Sequence, residues 1–261
     1  MSTRTAPDRF LERGDIRLRW RLEGSGPPIA LLHGWALDLE YWDPLTTLLA
    51  PRFTVLRFDR RGFGLSTGLP GIHSNVDDLA ALLAAAAIDR ALLVGMSQGA
   101  RLAIHFALAF PARTRALLLD GAPALEAESD LPLARYRNTL ETQGSAVLQA
   151  DLLLHPLMQL QTPDPASQAL LAGCVARYQG LDLLHPARRG RTPGMSAIAA
   201  PVLILNGSRD SPARREAGRR LQAAIPGAQR LELPGAGHLA QLDDPLAYAH
   251  IVDRFCATLP P

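Results

Sequence analysis

The sequence predicts an α/β fold: a mostly parallel sheet with helices on both faces and a helical segment inserted late in the chain. Three observations predict it. Short, continuously apolar runs recur along the 261 residues, as expected of strands buried on both faces. Helical patterns lie between those runs, and strands alternating with helices build a parallel sheet. The alternation then breaks from about Pro123 to Ala200, where no strand-like run occurs, and resumes at Pro201.

The elements read as follows. Arg9–Arg13 and Arg17–Glu23 alternate apolar and polar around Gly14-Asp15, which predicts a hairpin with one wet face. Ile29–Leu32, Phe53–Phe58, Ala91–Val94, Ala116–Leu119 and Val202–Leu205 are the buried strands, and Gln229–Leu233 is strand-like. Tyr41–Ala50 has a helical pattern, as does Asn75–Ala87, with Ser74 as N-cap and Asp77 three residues on. Gln98–Phe110 is apolar nearly all round, which predicts a buried helix stopped by Pro111. Pro212–Ala224 and Pro245–Thr258 each open with proline, as first helical turns tolerate. The break holds helical stretches at Leu131–Gln143, Ser145–Leu154 and Pro165–Tyr178, then a Pro/Gly/Arg stretch at His185–Gly194. Residues 1–122 and 201–261 therefore read as the core, and 123–200 as a helical cap.

Composition narrows the function. Hydrophobic residues make up 48% and charged residues 20%, enough apolar side chain for a sizeable core and too much for a disordered chain. All 27 basic residues are arginine, scattered in ones and twos with no stripe to follow a phosphate backbone, so no nucleic-acid partner is expected. The pairs Arg60-Arg61, Arg188-Arg189, Arg214-Arg215 and Arg219-Arg220 read as solvated surface. Cys174 and Cys256 make neither a disulfide framework nor a metal spacing. Leu79–Ile88, the longest apolar stretch, is too short to span a bilayer, and the N-terminus has no apolar leader segment. A soluble cytoplasmic protein with no membrane partner is the expectation. Gly24-Ser-Gly26 precedes a strand and opens no helix, so it is not a phosphate loop. No cofactor and no metal are expected.

One pattern carries chemistry. Gly95-Met-Ser97-Gln-Gly99 fits the nucleophile elbow G-x-S-x-G, in which a serine on a strained strand-to-helix turn projects its hydroxyl into a cleft. The flanking glycines let the chain turn without a Cβ clash. Chance alone gives roughly 0.07 matches in a chain of this composition, yet Gly64-Leu-Ser66-Thr-Gly68 fits too. Context separates the two. Ser97 lies between a buried strand and a helix; Ser66 follows a loop and runs into Leu69-Pro70-Gly71. A partner base is best sought at His238, in the glycine-rich Pro234–His238 loop after a strand. His105 reads as a core histidine and His33 as a turn residue bonding locally. His155 and His185 are placed to line the cap's floor. The acid that orients His238 is Asp210, after Val202–Leu205, with Asp120, after Ala116–Leu119, as its rival. Asp243 and Asp244 read as stabilising the last helix start. The backbone N–H groups of Trp35 and Gln98 are the candidate oxyanion hole.

Together the His33-Gly34-Trp35 turn, Trp42, Asp59-Arg-Arg-Gly-Phe-Gly-Leu-Ser66, the Ser97 elbow, Asn206-Gly-Ser-Arg-Asp210 and Gly237-His238 resemble the α/β-hydrolase family over essentially the whole chain. The order Ser97, Asp210, His238 is the family's order. The resemblance implies an eight-stranded sheet, a lid between strands six and seven, and a Ser-Asp-His triad. Ala100 departs from the second glycine that many relatives carry after the elbow. The serine excludes the aspartate-nucleophile branches, haloalkane dehalogenases and epoxide hydrolases.

The implied activity is hydrolysis of a small carboxylic ester or lactone through a Ser97 acyl-enzyme, in the manner of esterases and enol-lactonases. The His33-Gly-Trp-Ala-Leu37 stretch resembles esterases of pimeloyl-carrier-protein methyl esters. Ser97-Gln-Gly-Ala-Arg101 is similar to the elbow of a menaquinone-pathway lyase, which makes Arg101 a candidate ligand for a substrate carboxylate. A lyase or C–C bond hydrolase of an acidic metabolite is the alternative enzyme. A slow, receptor-like ligand binder is the alternative outside catalysis. Leu131, Leu133, Leu152, Leu153, Leu154, Leu157, Met158 and Leu160 read as too apolar to face water and as roofing an acyl pocket, with Leu157 and Met158 in contact with the acyl chain. The arginines of the cap crowd its end, at Arg177, Arg188, Arg189 and Arg191. The pocket is expected to be mainly apolar or mixed and to take short, uncharged acyl chains.

Overall fold

The computed structural model describes residues 6–124, 131–162, 164–186 and 194–260. Eight strands form one sheet: β1 (Arg9–Arg13), β2 (Ile16–Glu23), β3 (Pro28–Leu32), β4 (Thr54–Phe58), β5 (Ala91–Met96), β6 (Thr114–Asp120), β7 (Val202–Gly207) and β8 (Gln229–Leu233), in the order β1-β2-β4-β3-β5-β6-β7-β8. The β1–β2 and β2–β4 pairs are antiparallel; every later pair is parallel.

Between the strands run α1 (Asp43–Leu49), α2 (Ile72–Ala85) and α3 (Gln98–Ala109). Between β6 and β7 the described residues hold only helices: α4 (Leu133–Gln143), α5 (Ser145–Leu153), α6 (Pro165–Ala176) and the short α7 (Leu181–Leu184), with 3-10 turns at Pro156–Met158 and Met195–Ala197. The core closes with α8 (Pro212–Ala224), the short α9 (Ala240–Asp243) and α10 (Pro245–Thr258).

Side chains alternate across each strand, and the two faces feed two cores. Ile29, Leu31, Val55, Val94, Leu118 and Leu205 pack under α1, α10 and the inserted helices. Ala30, Leu32, Leu56, Leu93, Leu117 and Ile204 pack under α2, α3 and α8. Each fully buried leucine or isoleucine contributes about 1.5–3 kcal/mol through lost apolar hydration. This double coverage is why the strands read as continuous apolar runs and not as alternating ones.

Some local expectations need correction. α2 starts at Ile72, not Asn75: Gly71 is its N-cap, and Asn75 N–H donates to Gly71 O at 2.9 Å. Ser74 thus lies inside the first turn, as does His73. Tyr41–Ala50 divides into a 3-10 turn, Leu39–Trp42, capped by Asp38, and then α1, because Pro44 lacks the N–H that would carry one helix through. Leu154 is 77% exposed. Three successive leucines cannot all face inward on a helix that turns by about 100° per residue. The stretch with Arg188, Arg189 and Arg191 lies outside the described residues.

The inserted helices are tied to the sheet by charge. Arg177, at the end of α6, donates from Nε to Asp38 Oδ2 (2.6 Å) and from Nη2 to Glu40 Oε2 (2.7 Å). Burial alone would raise the pKa of Asp38, but the Arg177 guanidinium holds it below the usual carboxylate value. Asp243 does not open the last helix as expected; Asp244 does, accepting from Ala247 N–H at 2.9 Å. The Asp243 carboxylate accepts instead from Gln161 N–H (2.6 Å) and Thr162 N–H (3.1 Å) of the insertion and from Gly237 N–H (2.7 Å). It ties the loop that bears His238 to the insertion.

Candidate active site

Parallel strands end on the same edge, and four chain segments leave that edge together. Met96 pairs with Asp120, and Asp120 with Leu205, so the residues after β5, β6 and β7 emerge side by side. Ser97 and Gly121 follow β5 and β6 directly, Asp210 is the third residue after β7, and His238 arrives from the loop after β8.

Ser97 sits at φ 54°, ψ −115°, a left-handed conformation that an L-residue adopts only under constraint. The constraint is visible. Ser97 N–H donates to Asp120 O at 2.8 Å, and α3 starts at the next residue. The two elbow glycines make room. A Cβ on Gly95 would overlap the Gly99 backbone, and one on Gly99 would overlap the Leu32 carbonyl. The strain therefore falls on the serine, and the glycines permit close approach of α3 to β3 and β5. Ser66 lies elsewhere and is occupied. Its Oγ donates to Asp59 O and accepts from Arg19 N–H, both at 2.8 Å, and so pins the loop after β4.

His238 is 5% exposed, and its Nδ1 lies 3.1 Å from both Asp210 oxygens. A carboxylate accepts only, so Nδ1 carries the proton and Nε2 is left as the acceptor. Asp120, the rival acid, makes no such contact with His238. It is wholly buried, and burial, then the nearby Asp210 charge, push its pKa well above the usual value. It lies at the end of β6, where the sequence placed it, and its carboxyl favours the protonated form more than an exposed one does.

Gly121 completes the support. Its φ is +52°, and a Cβ there would come within 2.8 Å of His238 Cε1 and 2.9 Å of Nδ1. The imidazole packs against this glycine, and Asp210 Oδ2 would lie 3.4 Å from the same Cβ.

Trp35 and Gln98 flank the serine. Ala36, at φ 57°, closes a tight turn after Trp35. The Gly34–Trp35 peptide is held from its oxygen side. Arg60 N–H donates to His33 Nε2 at 3.0 Å, so His33 Nδ1 bears the proton and donates to Gly34 O at 2.8 Å. Arg60 Nη2 also donates to Gly34 O, at 2.8 Å. Two donors on that carbonyl polarise the peptide and strengthen its N–H, on Trp35, as a donor. Asp182 of α7 accepts from the Trp35 indole at 2.7 Å. The turn is thereby fixed from the core and from the insertion. His33 is the local turn residue that the sequence suggested: burial first, then the Arg60 charge, pull its pKa down to about 3. We expect His33 to keep a neutral, Nδ1-protonated ring at pH 5, where an ordinary imidazole is mostly charged. Long-range ¹H–¹⁵N correlation spectra check this, and a ring that titrates near 6.5 contradicts it.

Two chambers meet at these residues. The inner one, about 20 Å³, is lined by Ser97, His238, Met96, Leu152, Leu157 and Met158, with Trp35, Leu37, Leu131, His155 and Arg214. By the roughly 10–15 Å³ that one water occupies, it is a narrow slot. The outer one, about 200 Å³, lies along Trp35, Gln98, Arg60 and Arg101. Leu157 and Met158 thus share a cavity with Ser97, whereas Arg101 faces the outer chamber. His155 lines the inner wall; His185 is exposed. Among the described residues no three His, Cys, Asp or Glu side chains are grouped to hold a metal ion.

The main surprise is Arg214. Read from sequence as solvated, it is 2% exposed, and its Nη1 donates to Ser97 Oγ (3.3 Å) and Gly121 O (3.2 Å). The Ser97 hydroxyl is therefore bonded to a guanidinium, and among the described residues no hydrogen bond joins it to His238. Arg60 is the second correction: it is 6% exposed, with its guanidinium over the Phe63 ring at 4.4 Å.

Comparison with known proteins gives the family. The model of the "Alpha/beta hydrolase family" matches residues 29–251. The chain belongs to the α/β-hydrolase family. It is 28% identical over 260 residues to the pimeloyl-[acyl-carrier protein] methyl ester esterase of Pectobacterium atrosepticum, covering 91% of this chain and 98% of that one. It is also 28% identical over 261 residues to the 2-(acetamidomethylene)succinate hydrolase of Mesorhizobium japonicum, covering 91% of this chain and 92% of that one. Among solved structures, the enol-lactonase of Burkholderia xenovorans superposes with a TM-score of 0.84 at 25% identity, covering 95% of this chain and all of that one. The α/β-hydrolase architecture expected from the sequence, eight strands and mostly parallel, is thus the one found.

Proposed function

We propose that this α/β hydrolase cleaves a small carboxylic ester or lactone through a Ser97 acyl-enzyme, with residues 123–200 as its cap. The observation that carries the reading is the shared slot: a strained, strand-to-helix serine and a histidine hydrogen-bonded to a buried carboxylate line one cavity. Similarity to the methyl ester esterase and the enol-lactonase supports the same reaction class.

The steps follow from the residues. Ser97 Oγ attacks the carbonyl carbon, and His238 Nε2 takes its proton. Negative charge on the carbonyl oxygen develops between the N–H groups of Trp35 and Gln98, with the α3 N-terminus adding its field. Asp210 keeps the imidazole oriented and stabilises the imidazolium. The proton passes to the leaving oxygen. Water, deprotonated by His238, then releases the acid and restores the serine. Substrate binding must turn the Ser97 hydroxyl toward His238, since catalytic hydrogen bonds commonly tighten only in the Michaelis complex.

Two measurements test the reading: covalent capture of Ser97 by a fluorophosphonate probe, and turnover of p-nitrophenyl acetate and butyrate. Labelling with fast turnover supports an esterase. Labelling without turnover moves the reading to a receptor-like ligand binder. A second reading, a lyase or C–C bond hydrolase of an acidic metabolite, has one observation in its favour: Arg60, Arg101 and Arg214 line the chambers. Release of product from a dienoate acid with no ester turnover would promote it.

Gly121→Ala tests the support of the histidine. The new Cβ collides with the His238 ring, and left-handed φ in a non-glycine residue adds about 1–3 kcal/mol of strain. We expect kcat to fall by on the order of 10², the cost of a misplacement near 1 Å, with KM little changed. Unchanged kcat in a folded variant would show that the ring does not depend on this contact.

A further inference from the structure

The outer chamber is charged where a simple alkyl ester needs no charge. Arg60 forms part of its wall, buried to all but 6%. Its Nη2 is committed to Gly34 O, and its buried Nε has no hydrogen-bond partner among the described residues. The carboxylate on the same wall is already engaged: Asp182 accepts from the Trp35 indole through Oδ2 (2.7 Å) and from Tyr178 OH through Oδ1 (2.5 Å). Burial, only partly opposed by Asp182 and Tyr178, pulls the Arg60 pKa down to about 10. A guanidinium desolvated in this way gains more from an incoming anion than an exposed one does.

The rest of the wall suits a short carbon chain ending in such an anion. Arg101, on the first turn of α3, brings a second guanidinium, and Asn75 a side-chain amide. Phe63, Ile72 and Leu133 supply apolar surface between them. Trp35 and Gln98 line this chamber too, and Trp35 also lines the slot of Ser97. A substrate with its carbonyl between those two residues therefore reaches the chamber without crossing the protein. At about 200 Å³ the chamber holds a carboxylate and several carbons, whereas the inner slot does not.

We propose that the outer chamber is a carboxylate site, with Arg60 as its principal ligand and Arg101 as its second. The substrate is then an ester or lactone that carries an ionised carboxylate a few carbons from the bond cleaved, in place of the uncharged acyl esters the sequence suggested. Arginine fits this role because its planar fork meets a carboxylate with two parallel hydrogen bonds. The substrate class rests on the hydrolase reading; the site itself does not.

The test follows the rate of Ser97 labelling by a fluorophosphonate in the presence of glutarate, with glutaramide as the uncharged control. Wild type, Arg60→Met, Arg60→Lys and Arg101→Met are compared, each checked for folding by circular dichroism. Glutarate is expected to slow labelling of wild type at concentrations at least tenfold lower than for Arg60→Met. Arg60→Lys should fall between them, and Arg101→Met should need several-fold more glutarate than wild type. Equal protection of wild type and Arg60→Met, or equal protection by glutaramide, overturns the proposal. If Arg60→Met does not fold, Arg60→Lys and Arg101→Met decide by the same comparison. If Ser97 is not labelled at all, the hydrolase reading fails. Quenching of tryptophan fluorescence by glutarate, with the same variants, then decides the site on its own.

Discussion

Ser97→Ala is expected to lower kcat for an ester substrate by on the order of 10⁴–10⁶, with the fold intact. The loss is large because no neighbouring group replaces the hydroxyl as nucleophile. What survives comes from the Trp35 and Gln98 N–H groups and from binding. The fold should persist because the hydroxyl makes a single hydrogen bond among the described residues, from Arg214 Nη1. Alanine at φ 54° is no worse placed than serine. Ser66→Ala is the control. It breaks two buried hydrogen bonds, to Asp59 O and from Arg19 N–H, and should lower stability by about 1–3 kcal/mol while leaving kcat near wild type. Steady-state kinetics and thermal melts on both variants separate these outcomes. A dispensable Ser97 beside an essential Ser66 would overturn the elbow assignment.

That contrast between two matching motifs measures what a sequence can carry. Strands buried on both faces leave an unbroken apolar run, and the hairpin strands an alternating one, so all the strands of the sheet, β8 included, were legible. Their ends were not. β5 runs on to Met96 and β6 to Asp120, because hydrogen bonding continues where the apolar pattern has stopped. Pro212 and Pro245 marked helix starts to the residue, whereas α2 began early because Gly71 caps without a side chain. Ser97, Asp210 and His238 were legible because each ends a strand-like run, and such ends gather on one edge of a parallel sheet.

Buried charge was the part that pattern reading missed. Arg214 had a signal: Arg214, Ala217, Gly218 and Leu221 fall at i, i+3, i+4 and i+7 and form the buried stripe of α8. Read by periodicity and not as an Arg-Arg pair, it belongs to the inner face. Arg60 and Gly121 had none. Both lie in irregular backbone, where no period tells a side chain's direction. Asp243 was read as a helix-start charge, since two of the bonds it makes are to the Gln161 and Thr162 N–H groups, distant in sequence.

Asp210→Asn is expected to lower kcat by on the order of 10⁴. The carboxylate now accepts from His238 Nδ1–H, which leaves Nε2 free to take the Ser97 proton. An asparagine can turn its NH₂ toward Nδ1 and favour the opposite tautomer, with the proton on Nε2, where it blocks transfer. It also removes the charge that stabilises the imidazolium. Asp210 is 5% exposed, so solvent does little to replace that charge. Asp120→Asn should cost far less. Its carboxyl is wholly buried, and burial and the Asp210 charge raise its pKa and favour the protonated form, so a neutral amide of the same shape changes little. A larger rate loss for Asp120→Asn than for Asp210→Asn would move the orienting acid to the end of β6.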